Sequence, residues 1–414
     1  MTTSLWRHHD FLRLWGAQTV SEFGSQITML ALPLTAVLVL DATAFEVAAL
    51  ATAQYLPYVL FSPLAGVWVD RRNRRGVLLQ ADIWRGVALV TVPAAYALDA
   101  LTLSQLYAVG FVHGTLTLAF GIAHQGFLPS MLRREHLLEA NTRSEVAQTT
   151  AQLSGPAAAG GMVAVLSAPV AILADALSFV LSWLLIRKIR YREPPRETAT
   201  HARPPSVRRE LREGAVYVLT NQYLRALMAA TALINFSINV IVSILVVFAV
   251  RELGLSAGEI GLVFSLGQAG GLLAAAVYSR ARRVVGVGKL LLLAAALLGP
   301  TTLILALAPR AHAFAFLLAG WATGSFARVI YNVSATSIRQ AIVPTPLQGR
   351  ASGFMRWVSF GTLPLGSLTG GAVAAAFGLR EAMIVGAALS FLVVVPCLAP
   401  PVRALHDLPA SDEA

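Results

Sequence analysis

The sequence predicts an all-α membrane protein of twelve transmembrane helices in two six-helix, pseudo-symmetric bundles. Three observations carry that expectation. Of the 414 residues, 56% are hydrophobic and only 13% are charged, about half the ~25% charged residues of soluble domains. The apolar residues fall in runs near the ~20 residues that cross a bilayer. The basic surplus, 32 Lys and Arg against 21 Asp and Glu for a net charge of +11, gathers in alternate connections between those runs. So apolar and weakly charged a chain is not disordered, and its surface is too poor in polar groups for a water-soluble globule of this length. The lone cysteine, Cys397, excludes a disulfide scaffold and a zinc site built on thiolates.

Taken in order, the expected spans are 13–40, 45–69, 77–98, 102–130, 142–166 and 169–187, then 223–250, 257–280, 287–308, 312–341, 349–376 and 379–400. The first run is too long for the apolar core of a cleavable signal and lacks a small-residue cleavage site after it, so it is expected to remain as a helix. What lies between the spans is too short and scattered for a nucleotide-hydrolysing domain. Gly286-Val287-Gly288-Lys289 resembles the end of a phosphate-binding loop, but Arg283 stands where the first glycine belongs and Leu290 replaces Ser or Thr. It reads as a basic connection between two helices.

The arginines assign the sides. Arg7, Arg13, Arg71, Arg72, Arg74, Arg75, Arg133, Arg134, the run from Arg187 to Arg212, Arg280, Arg282, Arg283, Lys289, Arg350 and Arg403 fall in both tails and alternate connections. Arg251, Arg310 and Arg380 fall in the others. By the positive-inside rule both termini are cytoplasmic. This scattering is unlike the clustered basic face that nucleic acid requires.

The longest connection carries Pro194, Pro195, Pro204 and Pro205 and reads as an irregular linker. Beyond it Val207, Leu211, Ala215, Val218 and Leu219 share one helical face, which predicts a short interfacial helix. The expected organisation is a bundle over 1–187, a cytoplasmic linker with this helix over 188–222, a second bundle over 223–402 and a cytoplasmic tail over 403–414. The halves echo each other. The basic connection at 66–75 corresponds to the one near 275–283, and Gly155, Pro156, Gly160 and Gly161 correspond to Pro364, Gly370 and Gly371. Internal repeats of this kind are common in secondary transporters, whose substrate sites lie near the bilayer midplane.

These residues resemble the major facilitator superfamily. Gly66-x-x-x-Asp70-Arg71-x-x-Arg74-Arg75 is similar to its loop signature, and Gly155-Pro156-x-x-x-Gly160 resembles the span-five motif of its drug:proton antiporters. Gly24-Ser25-Gln26, Glu139-Ala140-Asn141, Asp175-Ala176-Leu177-Ser178-Phe179, Tyr331-Asn332-Val333 and Arg339-Gln340-Ala341 look like a bacterial branch that includes macrolide and enterobactin exporters. The resemblance runs from about 10 to 402. Asn73, Ala159, Gly121 and His124 depart from the usual residues, and Gly121 stands where relatives often carry Asp. The resemblance implies the major facilitator fold, alternating access, and a cavity lined by spans one, four, seven and ten.

Gly66, Asp70, Arg71, Arg74 and Arg75 are the candidate cytoplasmic latch, with Gly66 permitting close helix approach; otherwise the arginines only set topology and meet lipid headgroups. Gly155, Pro156, Gly160 and Gly161 are candidates for a helix bend or for close packing. Charges inside a span cost ~2.5–3.5 kcal/mol if they face lipid at mid-depth, so each needs a reason. Glu22 is the leading proton-coupling candidate, with a fixed Glu22–Arg ion pair as the other reading. Asp175 and His124 are weaker carriers. Asp82 and Arg85, three apart on one helical face, are proton-coupling candidates too, but they are placed to pair, which favours a structural reading. Polar stripes at helical spacing give the candidate substrate contacts: Gln18 and Ser25 in span one, His113 in span four, Asn235 and Asn239 in span seven, Arg328 and Asn332 in span ten, and Arg356 in span eleven. His8-His9-Asp10 reads as a solvated tail, not a metal site.

No nucleophile, acid–base pair or metal set converges in the sequence, so an enzyme is not expected. The expected function is proton-driven export of a small amphipathic compound (a drug, siderophore or secondary metabolite) across a bacterial cytoplasmic membrane. The alternative is a facilitator-type importer or uniporter of a nutrient. No cofactor, metal or nucleic-acid partner is expected; the partners are a small-molecule substrate, protons and the lipid bilayer, and the chain is read as a monomer.

Overall fold

The structure, a computed structural model, describes residues 5–193, 207–344, 347–400 and 405. The Pro-rich part of the expected linker, most of the expected tail and the side chain of Asp70 lie outside the described residues.

The helices are α1 (His9–Leu38), α2 (Ala44–Asp70), α3 (Arg74–Ala97), α4 (Leu103–Met131), α5 (Arg134–Leu166) and α6 (Ala168–Arg187). They continue with α7 (Val207–Thr220), α8 (Gln222–Val247), α9 (Ala257–Gly267), α10 (Ala269–Val285) and α11 (Val287–Ala306). The last are α12 (Ala313–Ile342), α13 (Gln348–Phe377), α14 (Leu379–Phe391) and the single turn α15 (Val394–Cys397). Local chemistry sets several starts. Asn73 caps α3 by accepting from the Gly76 N–H, and Ser256 with Glu259 forms a reciprocal capping box at α9. Gly286, at φ +85°, is a one-residue joint between α10 and α11. That left-handed conformation favours glycine, so the Gly-Val-Gly-Lys run serves as a helix junction.

Among the described residues, ten segments are long and apolar enough to cross a membrane, counting α8 with the π-turn that extends it, α9 with α10, and α14 with α15 as single segments. The sequence predicts twelve; α1 and α5 are the two that composition does not support. Each is long enough, at 30 and 33 residues, but both carry charged and polar side chains that lower their mean hydropathy.

The chain forms two compact units, one of residues 1–42 and 53–204, the other of 43–52 and 205–414. In the first, α1 packs on α6 and α5, and α3 packs on α6 and α4. In the second, α8 packs on α14 and α13, and α11 packs on α14 and α12. The order of packing is therefore the same when the first six long helices are laid over the last six. Within lipid, apolar side chains gain little by leaving one apolar phase for another, so helix pairs depend on close backbone approach. Glycines supply it: a Cβ at Gly114 would overlap the Gln54 carbonyl in the first unit, and one at Gly370 would overlap the Val240 carbonyl in the second. At the expected close approach of Gly66, by contrast, a Cβ would meet no described atom within 4 Å.

Candidate functional site

The first unit buries a charge cluster at the meeting of α1, α3, α4 and α6. Asp82 and Arg85 sit one turn apart on the face of α3 that packs on α6, and both are nearly inaccessible, at 0% and 2% exposure. Arg85 Nη2 donates to Asp82 Oδ1 at 2.5 Å, and the Ser182 hydroxyl of α6 donates to Asp82 Oδ2 at 2.6 Å. The guanidinium lies between two rings, 4.3 Å from the centroid of Phe120 on α4 and 4.2 Å from that of Phe179 on α6. Arginine stacks well in this way because its charge is planar and weakly hydrated.

Two turns from Ser182 along α6, Asp175 is also fully buried. The Thr28 hydroxyl of α1 donates to its Oδ2 at 2.5 Å and the Ser178 hydroxyl to its Oδ1 at 3.0 Å. No guanidinium touches it among the described residues, although the charges of Arg85 and Asp82 reach it. Glu22 on α1 is half-buried, makes no hydrogen bond or ion pair among the described residues, and also lies within the field of Arg85. The cluster thus sets three carboxylates against one arginine. His113 on α4 lies tilted against Phe179, with ring centroids 5.9 Å apart, and its Nε2 has no partner among the described residues. Gln18 Oε1 is likewise unpartnered. His124, one turn further along α4, stacks on Phe120 at 6.2 Å between centroids.

Gly24 makes this arrangement possible. A Cβ there would overlap Ser178 Oγ and Asp175 Oδ1. Gly24→Val is therefore expected to push α1 off α6, with the overpacking cost of about 1–3 kcal/mol or more. A lower folded yield and thermal midpoint of the purified protein would show it; an unchanged midpoint would mean that the cluster tolerates separation. Gly155 plays the matching part at the α1–α5 contact, where a Cβ would crowd Gln26. A Cβ at Gly161 would meet no described atom within 4 Å, and α5 remains helical through Pro156 and Gly160.

The basic connection after α2 is bound inside its own unit. Arg74 donates to the Gly126 carbonyl of α4 at 2.9 Å and pairs with Glu193, which also accepts the Arg74 backbone N–H. Arg75 donates to the carbonyls of Ile186 and Arg187 at the end of α6. Arg71 is exposed.

The reading of His8-His9-Asp10 as a solvated tail is corrected. His8 caps α1 by accepting from the Phe11 N–H. Asp10 accepts the backbone N–H groups of Arg190 and Tyr191, at 2.8 to 3.1 Å, and pairs with Arg13 at 2.9 Å. Burial pushes the Asp10 carboxyl up, but the two backbone donors and Arg13 outweigh burial and hold it below its ordinary value. A carboxylate with a lowered pKa stabilises the fold at all pH above its unfolded value, and loses that contribution as pH falls through the folded one. Asp10→Asn is expected to cost about 1–3 kcal/mol at pH 7, seen as a lower thermal midpoint, and the gap from wild type should shrink below the ordinary carboxylate range.

In the second unit, Asn235 donates to the Ser359 carbonyl of α13 at 3.1 Å and so ties α8 to α13, and Asn239 donates to the Asn235 carbonyl of its own helix at 2.9 Å. Arg328 is half-buried, Asn332 and Arg356 are exposed, and Ser25 in the first unit is half-buried. Sequence reasoning missed Ser182, Glu193 and Phe120. Thr28 belongs to the polar stripe of span one, and Ser178 and Phe179 to the Asp175–Phe179 segment, but their spacing did not show which side chains they meet.

The sequence matches the family described as transmembrane secretion effector over residues 2–413. The uncharacterized MFS-type transporter YfiS of Bacillus subtilis (strain 168) is 23% identical over 92% of this chain and 91% of its own length. The multidrug efflux pump Tap of Mycolicibacterium fortuitum is 27% identical over 87% of this chain and 88% of its own. Macrolide efflux protein A of Streptococcus pyogenes is 25% identical over 55% of each chain. Among solved structures, the nucleoside transporter NupG superposes with a TM-score of 0.76 at 11% identity, covering 94% of this chain and 98% of that one. A bacterial homologue of the iron transporter ferroportin, in an inward-facing state, gives 0.74 at 18% identity over 96% and 100%. At these identities the structures speak for the fold alone. The chain belongs to the transmembrane secretion effector family of the major facilitator superfamily, and is a membrane transporter rather than an enzyme.

Proposed function

We propose that this transporter is an exporter that moves a small amphipathic compound out of a bacterial cell by proton antiport with alternating access. The observation that carries proton coupling is the charge imbalance of the cluster inside the first unit: Glu22, Asp82 and Asp175 against Arg85. Arg85 is committed to Asp82. A further ionised carboxylate inside a membrane is expensive unless it can take up a proton, and a site that alternates between the two states is what coupling requires. Similarity to pumps named for macrolide and multidrug efflux supports the outward direction. Glu22 is the proposed carrier, since no bond or ion pair with a described residue fixes it in one state.

The proposal includes twelve spans, with α1 and α5 crossing alongside the ten apolar segments. Residues 147–166 of α5 hold no charged side chain and already reach spanning length. The charged first third, from Arg134 to Glu145, would extend past the hydrocarbon. Both termini are placed in the cytoplasm by the arginine distribution. The experiment is uptake of amphipathic probes of each charge type, cationic, neutral and anionic, into inside-out vesicles under an imposed pH gradient. Accumulation that collapses with a protonophore supports the reading; accumulation that survives it removes proton coupling.

A further inference from the structure

We infer that the second unit holds a binding site for an amphipathic organic anion, centred on Arg328, so that the exported compound carries a carboxylate, sulfonate or similar acid group. The inference rests on the exporter reading above and names the substrate class.

Arg328 lies halfway along α12, within a membrane-crossing segment, and is half-buried. Its guanidinium cannot shed its charge. Among the described residues no carboxylate pairs with it. The described carboxylates of the second unit are Glu46, Glu213, Glu252, Glu259 and Glu381, and each lies on α7 or at a helix end. The other arginines nearest in sequence along the same and the next helix, Arg339 and Arg356, add positive charge, and Arg339 lies within the field of Arg356. The first unit solves the problem of a buried arginine with Asp82; among the described residues the second unit offers Arg328 nothing of the kind.

The guanidinium is nevertheless held in place. Arg328 Nη2 donates to the Ser325 hydroxyl at 3.1 Å, and that hydroxyl donates to Gln268 Oε1 at 3.0 Å. Ser325 is 2% exposed. The Trp321 ring lies 5.2 Å from the Arg328 guanidinium carbon and packs on Phe264 at 4.7 Å between centroids. Gln268 is the residue at which α9 gives way to α10. Glycines on both sides allow that break to press on α12, since a Cβ at Gly267 would overlap Trp321 and one at Gly270 would overlap the Ala322 carbonyl. Three helices thus orient one arginine whose remaining donors have no described acceptor. Beside it, the buried indole Nε1 of Trp321 also lacks an acceptor among the described residues. Donors fixed in advance next to a large aromatic face suit a ligand with an anionic head and an apolar body.

The test uses the full chain in inside-out vesicles under an imposed pH gradient, with taurocholate as the anionic probe and tetraphenylphosphonium as the cationic one. Wild type is expected to accumulate taurocholate. Arg328→Met should lower that accumulation by about tenfold or more at equal protein level, and Arg328→Lys should retain part of it, because lysine keeps the charge but not the fork. Ser325→Ala should raise the apparent KM for taurocholate with the maximal rate little changed. If Arg328→Met reduces folded protein, Arg328→Lys and Ser325→Ala still decide. Equal taurocholate uptake in all forms overturns the site, and so does wild-type accumulation of tetraphenylphosphonium alone or of neither probe. Gradient-driven uptake of the cation without the anion leaves the exporter standing and removes the anion site. Arg328-dependent taurocholate uptake that ignores the pH gradient keeps the anion site and removes proton coupling.

Discussion

Arg85→Leu is expected to leave little folded protein. The substitution removes the partner of a carboxylate that is fully inaccessible and has only Ser182 left to satisfy it. Breaking a buried pair from one side costs about 3–5 kcal/mol, because the stranded charge has lost water and gained nothing. The loss also empties the gap between Phe120 and Phe179, which the guanidinium fills. Replacing both members, as Asp82→Leu with Arg85→Leu, should recover much of the loss, since a well-packed apolar pair can match or exceed an ion pair in such a place. Thermal unfolding and size-exclusion profiles of the two variants in detergent measure this. A single variant as stable as wild type would show that Asp82 is neutral in this setting and that the pair contributes nothing.

The second large effect separates the two carboxylates that Arg85 leaves unpaired. Glu22→Gln is expected to lower gradient-driven accumulation by about tenfold or more, equivalent to a free-energy change of ~1.4 kcal/mol, while downhill movement of substrate persists. Asp175→Asn should change transport far less. Its carboxyl is held by Thr28 and Ser178 on a closely packed face, and an amide of the same shape can keep one hydroxyl contact. Measuring counterflow beside gradient-driven uptake distinguishes a coupling defect from a transport defect. Full coupling in Glu22→Gln would remove it as the carrier, and loss of coupling in Asp175→Asn alone would move that role to α6.

The helical architecture and the family were legible because bilayer thickness imposes one length on every span and the arginines mark alternate ends. The number of spans is less direct for a physical reason: α1 carries Gln18, Glu22 and Thr28, whose polarity holds its mean hydropathy below that of the ten apolar segments among the described residues. Within the site, the Asp82–Arg85 pair could be read directly, because three residues is one helical turn. Its partners could not: Ser182 is 100 residues from Asp82, and Thr28 is 147 from Asp175. The break at Gln268 was also invisible. It has no proline, and it is defined by how closely Gly267 and Gly270 meet α12.

The contact at Asp10 has a consequence for the chain's connectivity. One carboxylate fastens the start of α1 to residues 190 and 191, just beyond the end of α6. That contact closes residues 10 to 190 into a ring without a covalent bond, so a single cut in the exposed turn near Asp99 should leave the two pieces of the first unit joined.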